Sequence, residues 1–266
     1  MSDEFTTDKM IMMCYPPGAG GKFLCNSLGL GSNVVLAGLA EWQIDNQVSA
    51  HDKFELLCNR LDDVKGQWND LNLGARPLFV SDTESRIKPT IYWAANSAMT
   101  TILKKVIEQN LYFFLPIHTD SDKQKILSRW SNANKIYLYE ETGIFFDRYR
   151  PGYGGVARYW QSVRAETWPI TAPRSIDELR QLPTHIQDEL EKLNNNEIYN
   201  QFLFCDDATD GAKWNIDWFV DEDATIFNLE KLYDHFDIEN FNSNLIRRYH
   251  SKWLSVLTRL NASETG

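Results

Sequence analysis

The chain has 266 residues, of which 43% are hydrophobic and 13% aromatic, and its formal net charge is -10. This length and composition suit one large domain, or a domain with a helical appendage, and the spread of Trp, Phe and Tyr argues against disorder over most of the chain. The acidic balance excludes general nucleic-acid binding, which depends on neutralisation of phosphates by Lys and Arg, but it allows a local site for one small anion.

The cysteines and the N-terminal segment indicate a compartment. The four cysteines are far apart and form no Cys-x-x-Cys pair, so we expect buried thiols in a reducing environment, without a disulfide framework or a zinc site. The segment MSDEFTTDK lacks the basic and apolar regions of a signal peptide, and no apolar run reaches 18 residues. We therefore expect a cytoplasmic protein without a membrane span.

Apolar runs and helical periodicity alternate along the first 150 residues. Short apolar runs predict strands at 10–15, 33–42, 76–82, 111–120 and 134–141. Apolar residues at helical spacing predict helices at 22–30, 45–68, 96–110, 121–132 and 142–150. Strands separated by helices predict an α/β fold of three layers, with a parallel sheet and helices on both of its faces.

The alternation of apolar runs and helical segments ends after residue 151. A loop-rich stretch precedes a charged helical segment at 176–196 and a late strand and turn within 198–211, and two amphipathic helices follow at 221–236 and 242–261. No linker divides the chain, so we expect one domain. Its sheet core with the phosphate loop occupies 1–150, and its cover loops and C-terminal helices occupy 151–266, with the aromatic residues beyond 214 as core anchors.

The stretch MIMMCYPPGAGGKFLCNSLGLG, residues 10–31, predicts a buried strand, a Gly-rich loop and a helix. Backbone N–H groups, the positive end of a helix dipole and one Lys all favour a phosphate there. The stretch departs from the motif GxxxxGK[ST] at both ends, because Pro16 replaces the first Gly and Phe23 replaces the hydroxyl residue that binds Mg²⁺. No metal is therefore expected. A tight turn without a ligand is the alternative.

The residues PGAGGKFL (17–24) resemble the phosphate loop of the sulfotransferase family, which reads PKSGTT or PRSGTT before an apolar pair. The resemblance implies a P-loop type fold that holds the 5′ end of 3′-phosphoadenosine-5′-phosphosulfate without a metal. The positions that would bind this co-substrate are Gly18, Ala19, Gly20, Gly21, Lys22, Phe23 and Leu24. Gly18 stands where the family has a catalytic Lys or Arg, so Lys22 would supply that charge from the start of the helix.

Two further regions are similar to the same family. In FFLPIHTD, His118 matches the family's catalytic base at the end of a strand. In NKIYLYEETGIFFDR, Glu140 falls where the family has an Arg for the 3′-phosphate, and Arg148 falls at a second position of that site and would bind the 3′-phosphate instead. The segment 214–254 is similar to the closing helices of the family in texture but not in motif.

For each of these side chains, a role without a ligand is the alternative interpretation. His118 is either a general base or a surface His at a strand end. Arg148 belongs to a group of arginines between 148 and 164 that either covers a nucleotide or pairs with surface carboxylates. Glu140 and Glu141 act as base or metal ligands, or are solvated residues at a strand end.

The leading hypothesis is an enzyme that transfers a sulfuryl group to a hydroxyl or amine of a small molecule or glycan, with His118 and Lys22 as catalytic residues. A nucleotide-dependent kinase or other phosphotransferase with an atypical loop is the second hypothesis, although Phe23 argues against it. A non-catalytic, degenerate P-loop module is the third. The first and second bind an adenine nucleotide. The acceptor and the oligomeric state do not follow from the sequence.

Overall fold

The computed structural model describes residues 8–15, 19–36, 43, 48–64, 105–118, 133–139, 141–142, 144–149 and 209–264. Within them, four parallel strands form one sheet in the order β2-β1-β3-β4. The strands are β1 (Met10–Tyr15), β2 (Phe113–His118), β3 (Asn134–Tyr139) and β4 (Ala212–Asn215). The helices are α1 (Gly21–Leu28), α2 (Ala50–Asp62), α3 (Ile144–Tyr149), α4 (Glu222–His235) and α5 (Ser243–Glu264), and a 3-10 helix spans Ile216–Val220.

Strand β1 lies inside the sheet and is buried on both faces, as its unbroken apolar sequence predicts. Ile11 and Met13 belong to the main cluster of buried apolar residues. Side chains alternate along a strand, so Met12 and Cys14, which are fully buried, lie on the opposite face. Its partners run in matching register, with Met13 opposite Ile136 of β3.

Helices α1, α4 and α5 pack together beside the sheet. Tyr233 of α4 donates a hydrogen bond to the carbonyl oxygen of Ser27 at 2.8 Å, and Asn26 of α1 donates to the hydroxyl of Tyr249 of α5 at 2.9 Å. These buried bonds connect residues more than 200 positions apart, so the C-terminal helices form part of the core.

Helix α2 begins at a capping box and is tied to the end of α1. The Ser49 hydroxyl accepts a bond from the Asp52 N–H, and the Asp52 carboxylate accepts one from the Ser49 N–H. Lys53, which is fully buried, donates to the carbonyl oxygens of Gly29, Gly31 and Val34 at 3.0, 2.6 and 2.8 Å.

The turn before β4 holds this strand against β3. Lys135 is buried on β3 and pairs with the Asp210 carboxylate at 2.8 Å, and the Tyr137 hydroxyl donates to the same carboxylate at 2.7 Å. A Cβ on Gly211 would lie 2.7 Å from the Lys135 carbonyl oxygen, so only Gly allows this close approach.

The structure confirms the α/β fold with a parallel sheet flanked by helices, and the C-terminal helices. Strands predicted at 10–15, 111–120 and 134–141 are present, as are helices predicted at 22–30, 142–150, 221–236 and 242–261. Most of the aromatic residues expected as core anchors after 214 are buried, with Trp214, Phe219 and Tyr249 as examples, but Phe227 is 57% exposed. Cys14, Cys25 and Cys58 are buried free thiols.

Other predicted elements differ or lie outside the described residues. The helix predicted at 45–68 begins only at Ala50, because Ser49 caps it, and it ends at Asp62. Of the strand predicted at 33–42, Val34 forms a single parallel bridge with Tyr112, and 37–42 lie outside the description. Residues 105–108 are helical, in agreement with the helix predicted at 96–110. The elements predicted at 76–82, 121–132 and 176–196, and the strand expected early in 198–211, lie outside the described residues. Strand β4 and the 3-10 helix were not predicted.

Among the described residues, no helix combines the length and the apolar character that crossing a membrane requires.

Candidate functional site

The carboxyl ends of the strands define the candidate site. Among the described strands, the chain moves from β1 to β2 on one side and reaches β3 and β4 on the other, so the order reverses between β1 and β3. In open parallel sheets, ligands bind in the crevice outside the carboxyl ends of strands at such a switch point. The loop after β1 and the turn after β3 border this position.

Gly20 and Gly21 start α1 after this loop, and both lie against aromatic rings. Gly20 has a left-handed backbone, with φ of 74°, and a Cβ there would lie 2.6 Å from Cε2 of Phe219. A Cβ on Gly21 would lie 2.5 Å from the ring of Tyr15. Ala19 beside them is buried. Packing therefore explains why both glycines are required, whether or not a phosphate binds.

Lys22 occupies the second position of α1 and is partly buried. Burial lowers the pKa of the Lys22 ammonium, and the nearby Cys25 acts in the opposite direction with a smaller effect. Side chains of an α-helix tilt toward its N-terminus, which directs Lys22 toward the loop after β1. The positive end of the helix dipole also disfavours a cation at this place.

Phe23 and Leu24 have their side chains in the core. Phe23 stacks against Trp253 at a centroid distance of 4.3 Å and against Tyr249 at 5.3 Å, and it meets Phe219 edge-on at 5.3 Å. Leu24 has no exposed surface. Among the proposed co-substrate contacts, Phe23 can therefore contribute its backbone N–H group but not its side chain, and the Leu24 N–H already bonds to the Gly20 carbonyl oxygen at 3.2 Å.

His118 and Arg148 lie on the elements next to the loop. His118 is the last residue of β2 and is paired in register with Tyr15, the last residue of β1. Arg148 lies on the exposed surface of α3, the helix that follows β3. Gly18 and Glu140 lie outside the described residues. The backbone thus brings the ends of β1, β2 and β3 to one edge of the sheet.

A network around Asp217 connects the turn after β3 with the segment that follows β4. Its Oδ2 accepts bonds from the N–H of Glu141 at 3.2 Å, from the N–H of Thr142 at 2.7 Å and from the Thr142 hydroxyl at 2.9 Å. Its Oδ1 accepts from the Phe145 N–H at 3.2 Å, in the first turn of α3. The buried Asn215 donates to the Glu141 carboxylate at 3.0 Å and accepts from the Asp217 N–H at 3.0 Å.

The sequence does not predict this network, and it indicates for Glu141 only a base, a metal ligand or a solvated residue at a strand end. The partners of Asp217 lie 72 to 76 positions earlier in the chain, so no local pattern indicates them. The available signal is an N-x-D sequence after a buried Trp, which is typical of a strand end that caps a turn.

Within the described ranges, no group of three His, Cys, Asp or Glu side chains is arranged to hold a metal ion. Comparisons of the chain with models of known protein families, with the sequences of curated proteins and with solved structures found no match. The function is therefore inferred from the residues themselves.

Proposed function

We propose that this chain is a sulfotransferase-like enzyme that binds 3′-phosphoadenosine-5′-phosphosulfate at the loop between β1 and α1. The acceptor is a hydroxyl or an amine of a small molecule or glycan. The acceptor atom attacks the sulfur, His118 takes its proton, and the bond between sulfur and the bridging phosphate oxygen breaks. Adenosine 3′,5′-bisphosphate leaves with the electron pair of that bond.

One observation carries the proposal: a partly buried Lys22 lies at the N-terminus of α1, at the switch point of the sheet. Burial and the helix dipole both disfavour a positive charge there. A bound anion would offset both effects, since it pairs with the ammonium and accepts bonds from the first N–H groups of the helix. Lys22 and these N–H groups would stabilise the charge of the leaving phosphate.

The positions of His118 and Arg148 are compatible with roles on either side of the loop. His118 ends the strand on one side of β1, where a general base can meet an acceptor. Arg148 follows the strand on the other side, where a guanidinium can pair with a second phosphate. The adenosine would then span the switch point.

Calorimetric titration with adenosine 3′,5′-bisphosphate in the absence of metal tests the proposal. We expect micromolar binding that Lys22→Ala weakens about 10- to 100-fold, as the loss of a charge-assisted bond predicts. Lys9→Ala is the matched control, because it removes the same charge before the amino end of β1, about 20 Å away along the strand. The control is expected to bind like the wild type.

The same titration separates the alternatives. No binding of the bisphosphate, together with binding of ATP and Mg²⁺, would refute the sulfotransferase proposal and favour a kinase or other phosphotransferase. The contacts of Gly20 with Phe219 and of Gly21 with Tyr15 favour a second candidate, a non-catalytic module whose glycines serve packing. Absence of binding to both nucleotides would support that module.

A further inference from the structure

We propose that the 3-10 helix Ile216–Val220 is the positioning element of the site, because it contacts both the start of α1 and the turn after β3. This inference rests on the proposed function for its effect on ligand affinity. The contacts themselves can be tested without a ligand. Asp217 and Phe219 are the positioning residues, and neither is proposed to touch the co-substrate.

The first contact joins Phe219 to the start of α1. Its ring is fully buried and fills the space where a side chain at Gly20 would lie. The same ring contacts Phe23 at 5.3 Å and Trp253 at 5.4 Å, so it packs against both α1 and α5. A smaller side chain at 219 would let the left-handed Gly20 and the first turn of α1 move.

The second contact joins Asp217 to the turn after β3. Both oxygens of this carboxylate accept bonds from that turn, from the N–H groups of Glu141, Thr142 and Phe145 and from the Thr142 hydroxyl. Asp217 therefore fixes the start of α3, the helix that carries Arg148.

Hydrogen bonds from α4 and α5 fix the 3-10 helix in place. His250 of α5 is buried, and its Nε2 lies 2.8 Å from the carbonyl oxygen of Phe219, to which it donates. The Thr225 hydroxyl donates to the carbonyl oxygen of Trp218 at 2.7 Å. Because both ends of the ligand crevice contact one anchored element, their separation is set by that element.

Hydrogen exchange of single backbone amides tests whether the 3-10 helix couples the start of α1 to the turn after β3, and it does so in each direction. The Leu24 N–H bonds to the Gly20 carbonyl at 3.2 Å and reports the first turn of α1, and the Thr142 N–H reports the turn after β3. Asp217→Asn is expected to speed exchange at Leu24, which Asp217 does not contact, about tenfold. Phe219→Leu is expected to speed exchange at Thr142 to a similar extent.

Leu229→Ala is the matched control, because it opens the same apolar cluster from α4 without a bond to either loop. It should lower the Tm while the exchange at Leu24, relative to the Ile246 amide of α5, stays unchanged. Asp217→Asn and Phe219→Leu should each lower the affinity for adenosine 3′,5′-bisphosphate about tenfold, since small displacements of binding groups are costly. Leu229→Ala should leave this affinity unchanged.

The possible outcomes distinguish this inference from the proposed function. Unchanged exchange at Leu24 in Asp217→Asn and at Thr142 in Phe219→Leu would overturn the positioning role, even if both variants are less stable. Coupled exchange in a protein that binds no nucleotide would support the coupling and refute the proposed function alone.

Discussion

Replacement of Lys53 by Met tests how a fully buried ammonium is stabilised at the far end of α1. Met has a similar volume and no charge, so the packing changes little. The variant removes the donor from three carbonyl oxygens, of which that of Val34 keeps a bond from Gln43 at 2.6 Å. The Gly31 carbonyl keeps a bond from the Val34 N–H at 3.4 Å, and the Gly29 carbonyl loses this donor, at about 1–3 kcal/mol.

Burial of the Lys53 charge destabilises the fold, whereas its hydrogen bonds stabilise it, and the effect of burial depends on pH. Burial lowers the pKa of Lys53 from 10.5 to about 7. Between these values the unfolded chain binds more protons than the folded chain, so stability rises with pH and falls as pH drops toward 7. Integration from pH 7 to pH 9 raises the free energy of unfolding of the wild type by about 2 kcal/mol, and the Met variant lacks this increase.

Urea unfolding of both proteins at pH 7 and pH 9 measures this difference. We expect Lys53→Met to be more destabilising at pH 9 than at pH 7 by about 2 kcal/mol. Lys231→Met, on the exposed side of α4, removes the same charge and should show no such change. A destabilisation by Lys53→Met that is equal at both pH values would refute the reasoning. It would mean that the three carbonyls keep the ammonium as stable as in water.

Two further substitutions test the packing behind the loop. Phe23→Ala should cost about 3–5 kcal/mol in urea unfolding, because it empties the space between Tyr249 and Trp253. A loss below about 1 kcal/mol would place this ring outside the core. Gly20→Ala should cost about 2–4 kcal/mol through its positive φ and its contact with Phe219. Phe219→Leu in that background should restore part of the loss in Tm, and an additive effect of the two changes would contradict the contact.

The sequence predicts the fold well where one local pattern is strong. The run at 10–15 is apolar without interruption because β1 is covered on both faces, and the strand occupies the predicted residues. Helices α4 and α5 also match their predicted ranges within a few residues, since their apolar stripes face one cluster. Strand β4 has only four residues, too few for a pattern to appear.

The sequence predicts the site only in part, because the contacts around it are long-range. Phe23 stands where the motif GxxxxGK[ST] has the hydroxyl residue that binds Mg²⁺, and its side chain is part of the core. Its stacking partners come from α5, more than 200 residues later. Asp217 was missed for the same reason, since its partners belong to a turn that the sheet brings beside it.

The glycines and the lysine of the loop carry different weight as evidence for a ligand. Gly20 and Gly21 have a packing reason in Phe219 and Tyr15, so a phosphate is not needed to explain them. Burial lowers the pKa of Lys22, and the dipole of α1 disfavours a positive charge at this place. A bound anion would offset both effects, which packing of the glycines does not address. Substitution of Lys22 therefore tests for a phosphate more directly than substitution of either glycine does.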